Sequence, residues 1–134
     1  MTQADHINSP DQPNTSAFLD TSLPNVARIF DYLVGGTANF EVDRQAANEM
    51  LKIMPSLRKW VRLRRAFIQE AAQLLRQEGF TQFLDIASGM PSDDHLHTIV
   101  ADKRIVYSDV NPVAVSYGRS LFSNQENIAY IRGN

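Results

Sequence analysis

The sequence predicts an α/β fold: a three-stranded, Rossmann-like parallel sheet preceded by a helical section. Three observations carry this. Apolar residues recur at helical spacing up to Gly79, short β-like runs separated by helical stretches follow it, and the order strand, helix, strand, helix, strand calls for right-handed crossovers.

Residues 1–22 are polar, contain Pro10 and Pro13 and show no period, so they read as a disordered tail. A helical section is expected over 23–79. Ser22 is a plausible N-cap with Pro24 in the first turn, and Val26, Ile29, Phe30, Leu33 and Val34 recur on one face before Gly35-Gly36 stops the helix. A second helix runs from Glu41 to Met54, with Val42, Ala46, Met50 and Ile53 on one face and Pro55 ending it. The third runs from Ser56 to Glu78. Its apolar stripe is Trp60, Leu63, Phe67, Ala71 and Leu74, and Trp60 and Phe67 are expected in the core.

The remaining stretch, 80–134, reads as three strands, Gln82–Ile86, Arg104–Ser108 and Asn127–Ile131. Between them lie helices from Ser92 to Ala101 and from Asn111-Pro112 to Phe122.

Composition excludes several function classes. A chain of 134 residues at 43% hydrophobic and 21% charged is an ordinary globular domain. It can bury roughly two thirds of its unfolded surface. A formal charge of −2 gives no global attraction to nucleic acid or acidic lipid. The absence of cysteine removes disulfides, thiol catalysis and Cys-ligated zinc. The longest apolar run is Ile128 to Ile131, too short for a bilayer span or a signal core, so the expected compartment is the cytoplasm.

Ligands of open α/β sheets bind beyond the carboxyl ends of the strands. Asp85 ends the first strand and Asp109, 24 residues on, follows the second. An acidic residue so placed can accept hydrogen bonds from both hydroxyls of a ribose. Between them Ala87-Ser88-Gly89 brings bare backbone close to a ligand. A dinucleotide fingerprint would need three glycines, and Ala87 and Pro91 count against it. S-adenosylmethionine has the ribose and adenine without a phosphate.

The segments FLDIASGMPSDD and IVYSDVNP resemble the first two cofactor motifs of Rossmann-type S-adenosylmethionine-dependent methyltransferases. Upstream, ARIFDYLVGGTANFEVDR and RLRRAF resemble the entry segment and basic helix of one such family, the S-adenosyl methyltransferases long catalogued as a domain of unknown function. The likeness runs from Leu23 to Asn134. It implies S-adenosyl-L-methionine as cofactor, with Asp85, Ala87, Ser88 and Gly89 around its methionine end, Asp109 on the ribose hydroxyls, Val110 against adenine and Asn134 near the adenine amino group. Ala87 stands in a usual glycine position and Arg64 where asparagine is expected. Tyr32, Asp31 and Asp43, in or near the entry motif, are candidates to face a methyl acceptor of unknown class.

Family members are about twice as long, so the chain is expected to be the N-terminal part of a methyltransferase. The first strand would then offer an open edge for self-association. The alternative is a catalytically silent cofactor-binding or interaction module.

Other features have plainer readings. Gly35-Gly36 is either a helix stop or a loop near the ligand. Arg28 and Asp31 suit a surface i,i+3 contact. His95 and His97 diverge on a helix and make a poor metal pair, so packing or solvent contact is expected. The run RKWVRLRR, with five basic residues in eight, fits a solvated helix face better than an RNA contact.

Overall fold

The computed structural model describes residues 20–133. The expected tail therefore lies almost wholly outside the described residues, as does Asn134. The elements, in chain order, are α1 Val26–Val34, α2 Glu41–Ile53, α3 Leu57–Gln77, β1 Gln82–Ile86, α4 Leu96–Ile99, β2 Arg104–Asp109, α5 Pro112–Leu121 and β3 Ile128–Arg132. All three strands are parallel in the order β1-β2-β3, with Asp85 opposite Tyr107 and Tyr107 opposite Tyr130.

One face of this sheet carries the main core. Ile105, Tyr107, Ile128 and Tyr130 pack against Leu96, Val100, Ala114, Val115 and Phe122 from α4, α5 and the turns after them, and against Ala72 of α3. Helix α5 sits close because residue 118 is glycine: a Cβ there would overlap the Tyr130 ring. Leu84, Ile86 and Ile131, on the opposite pleat, are exposed.

The helical section has its own core of Ile29, Leu33, Ala47 and Val61. An ion pair fixes its entry. Arg28 Nε lies 2.8 Å from Asp43 Oδ2, with the side chains 3% and 0% exposed. Asp43 also accepts the backbone N–H groups of Asn25 and Phe40, both at 2.9 Å, while Arg28 donates to Leu23 O at 2.7 Å. The charges are buried, paired and hydrogen-bonded, which is the condition for carrying them inside.

Several expectations change. The cap of α1 is Asn25, whose side chain accepts from Ala27 N–H, whereas Ser22 bonds to Asp20. Helix α4 is one turn, not ten residues, since Ser92 to His95 form a turn held by His95 itself. On α3 the inward residues are Val61, Arg65, Ile68 and Ala72. Trp60 and Phe67, expected in the core, are 68% and 72% exposed. The two stripes lie about one residue step apart around the helix, and contact with α1 and the β1 rim selects the second.

Candidate functional site

A cleft of about 340 Å³ opens at the carboxyl end of β1 and β2, where the loop after β1 faces α1 and α3. Asp85, Ala87, Ser88, Gly89 and Asp109 all line it. The two acidic residues thus meet at one cavity. From the helical side come Phe30, Asp31, Arg64 and Arg65.

The loop is held in several ways. Ser88 Oγ donates to Asp85 O at 2.7 Å and accepts Ser108 N–H at 3.1 Å. Gly89 N–H donates to Asp109 Oδ2 at 2.7 Å, and Tyr130 Oη donates to Gly89 O at 2.6 Å. Asp109 Oδ1 accepts Asn111 N–H at 2.8 Å. A carboxylate has about four lone-pair sites, so each Asp109 oxygen keeps capacity for a hydroxyl. The turn bends sharply enough to need left-handed backbone at Ala87 and Gly89, with φ of 58° and 69°. Ala87, which stands in a usual glycine position, thus adopts a backbone conformation that favours glycine.

Burial pushes the Asp85 carboxyl above the usual aspartate value, and Asp109 adds to this while Arg65 and Arg64 oppose it. Arg65 is largely desolvated and lies 3.7 Å from Asp94. Cleft and loop together offer three carboxylates, two guanidinium groups and bare backbone around an apolar lining of Phe30, Ile68 and Met90.

The profile of the S-adenosyl methyltransferases covers residues 12–134. The chain belongs to the S-adenosyl methyltransferase family. Two solved structures are similar. One, described as a "putative methyltransferase" from Thermobifida fusca, is 32% identical with a TM-score of 0.74, over 94% of this chain and 48% of that one. The other, a DUF574 family protein from Streptomyces avermitilis, is 31% identical with a TM-score of 0.74, over 86% of this chain and 47% of that one. The chain spans about half the length of both. No curated protein matches it.

As a family member the chain has the expected methyltransferase-like fold, and its candidate residues can be placed individually. Val110 is exposed and does not line the cleft, while Asn111 does. Of the three candidates for facing an acceptor, only Asp31 reaches the wall. Asp43 is sealed in its pair with Arg28, so it does not face an acceptor and Arg28 does not make the surface contact with Asp31 that the sequence suggested. Tyr32 packs under Arg58, whose guanidinium carbon is 4.8 Å from the ring centroid. Asp31 is 3% exposed, takes Asn39 Nδ2–H at 2.8 Å, and is pushed above the usual aspartate value by burial.

Gly35 and Gly36 stop α1, with Gly35 left-handed at φ 97°. They line a neighbouring cavity of about 440 Å³ that shares Asp31 and Val34 with the cleft. The basic run does not form one solvated face: Arg58 donates to Tyr32 O at 3.2 Å and Arg65 enters the cleft. His95 is buried and His97 packs edge-on to Phe122. No metal-binding group of His, Asp or Glu exists among the described residues, and none of their helices is long and apolar enough to cross a membrane.

The sequence missed Phe30, Arg65 and Asn111 as cleft residues. A usable sign was present for Arg65: with Val61, Ile68 and Ala72 it completes an i, i+4, i+7, i+11 row on α3.

Proposed function

We propose that the cleft binds S-adenosyl-L-methionine and that the whole protein moves its methyl group to an acceptor. The observation that supports this most is the convergence of Asp85 and Asp109 on one cavity, with the Ala87–Gly89 backbone between them. The residues fit the group. Nothing lies within 4 Å of where a Gly89 Cβ would stand, so the loop leaves open space beside bare backbone. The buried Asp109 retains unused acceptor sites toward the cavity.

In this reading Asp109 takes the ribose hydroxyls, and Arg64 and Arg65 offer donors to the carboxylate of the methionine end. Asp85 balances its ammonium group, and Phe30 with Met90 shields the apolar part. The bound cofactor supplies an already activated methyl group on a sulfonium. The protein's own work is then alignment, the term that dominates when no bond needs activating. Asp31 lies in the wall shared with the neighbouring cavity, and its raised pKa suits a group that accepts a proton from an acceptor entering there.

A second reading, a catalytically silent cofactor-binding or interaction module, draws on one observation that favours its interaction part. The outer edge of β1 has no partner strand among the described residues, and Leu84 and Ile86 beside it are exposed. Such an edge invites pairing with another chain.

Calorimetry with S-adenosylmethionine and S-adenosylhomocysteine tests the cleft. Wild type is expected to bind, and Asp109→Asn to bind at least ~10-fold more weakly, since a hydrogen bond to a charged group is worth about 1.5–3 kcal/mol. Failure of wild type to bind at millimolar ligand overturns the proposal. Radiolabelled methyl transfer to a cell extract then separates turnover from silent binding.

A further inference from the structure

The loop Ser88 to Ser92, whose first three residues line the cleft, has its two ends bridged by one side chain. His95 is 1% exposed and does not line the cavity. Its Nδ1 lies 3.0 Å from Ser92 N and its Nε2 lies 3.1 Å from Ser88 O. A backbone amide can only donate, so Nδ1 must present its lone pair. The proton then sits on Nε2 and is donated to the Ser88 carbonyl. The two partners leave one possible assignment, the neutral Nε2–H tautomer.

The residue's own backbone is fixed as well. His95 N–H donates to Ser92 O at 3.0 Å, Thr98 Oγ1 donates to His95 O at 2.8 Å, and the ring packs 5.4 Å from that of Tyr107. Of the charged and titratable groups around it, Arg65 and His97 both disfavour a second proton, while burial raises the Tyr107 phenol, which stays uncharged.

We infer that His95 is a positioning residue that sets the shape of the cofactor loop by bridging its two ends in one tautomer. The inference rests on the cofactor reading of the cleft. It goes further by naming what holds Gly89 N–H on Asp109 and the Ser88–Met90 backbone against the ligand. An ordinary buried histidine would need only to be satisfied by any partners. Here both partners belong to the same five-residue loop, so the ring acts as a rigid spacer with an acceptor on one side and a donor on the other. An apolar side chain of similar size offers neither donor nor acceptor, and a flexible amide offers the pair without the fixed spacing.

Two measurements on the full chain test this. Nitrogen-15 NMR of the histidine rings, without ligand, should show His95 as the neutral Nε2–H tautomer from pH 8 to 5. An Nδ1–H tautomer, or titration near the ordinary histidine value, overturns the latch. Calorimetry with S-adenosylhomocysteine should show His95→Leu weakened at least ~10-fold, with His95→Gln recovering several-fold of that loss because its amide supplies one donor and one acceptor.

Unfolding midpoints for both variants show whether affinity follows stability. Equal weakening in Leu and Gln variants of matched stability refutes positioning, as does unchanged affinity in both. Should His95→Leu fail to fold, the Gln variant and the wild-type tautomer still decide the matter. If wild type binds no ligand while the NMR shows the predicted tautomer, the cofactor reading falls and the loop latch stands.

Discussion

Ala87→Gly is expected to stabilise the protein, which runs against the usual effect of glycine. Ala87 has φ 58°, in the left-handed region, and is the only non-glycine with positive φ among the described residues. Left-handed backbone costs an L-residue roughly 1–2 kcal/mol. Glycine removes that cost but adds about 0.5–1 kcal/mol of unfolded-state entropy. The methyl group is exposed, so little burial is lost with it. The balance is a gain of about 0.5–1 kcal/mol, or a midpoint higher by about 2–4 °C for a domain of this size. Urea unfolding reads it directly, as a higher midpoint with unchanged slope. The reverse change supplies the control: Gly89→Ala, at φ 69° and with open space for its Cβ, should lose about 1 kcal/mol from backbone conformation alone. An Ala87→Gly protein no more stable than wild type, under an unchanged slope, would refute the argument.

Asp43→Asn should lower stability by about 3–5 kcal/mol in denaturant unfolding, because it leaves the Arg28 guanidinium buried without its charge partner. Gly36→Ala should cost about 1–3 kcal/mol, since the new Cβ would overlap the Asp31 carboxylate. Asp31 has a folded pKa raised by burial, so its contribution is full below the ordinary 3.8 and is lost as pH rises through the raised value. Wild type should therefore gain on Asp31→Asn as pH falls through that window in a pH series of urea titrations. The opposite sign holds for His95, pushed down to about 3 by burial first and then by Arg65 and His97. Its contribution is full above 6.5 and is lost as pH falls toward 3, with a slope of up to about 1.4 kcal/mol per pH unit. His95→Gln should flatten that acid limb.

Much of the fold was legible locally. The strands matched to within one residue, because short apolar-rich runs bounded by turn residues leave little choice of place. The rim was legible for the same reason: once β1 and β2 are parallel neighbours, Asp85 and Asp109 must emerge at one end. Helix α4 was misjudged because its acidic start looked like an ordinary N-terminus, whereas a ring five residues past Met90 takes the Ser92 amide for the loop instead. Asp43 was misjudged because no local pattern reveals that an arginine fifteen residues earlier folds onto it.

The sequence by itself determined the order of elements, the parallel sheet and the pairing of two carboxylates across a glycine-type turn, since each follows from spacing along the chain. Only the tertiary structure decided which face of α3 turns inward. Trp60 and Phe67 form as good a helical stripe as Val61, Arg65 and Ile68, and helical period alone ranks both by hydrophobicity. What settles it is non-local. The α1 helix and the loop after β1 cover the face that carries Arg65, and burying that guanidinium is tolerable there because Asp85 and Asp94 supply the opposing charge.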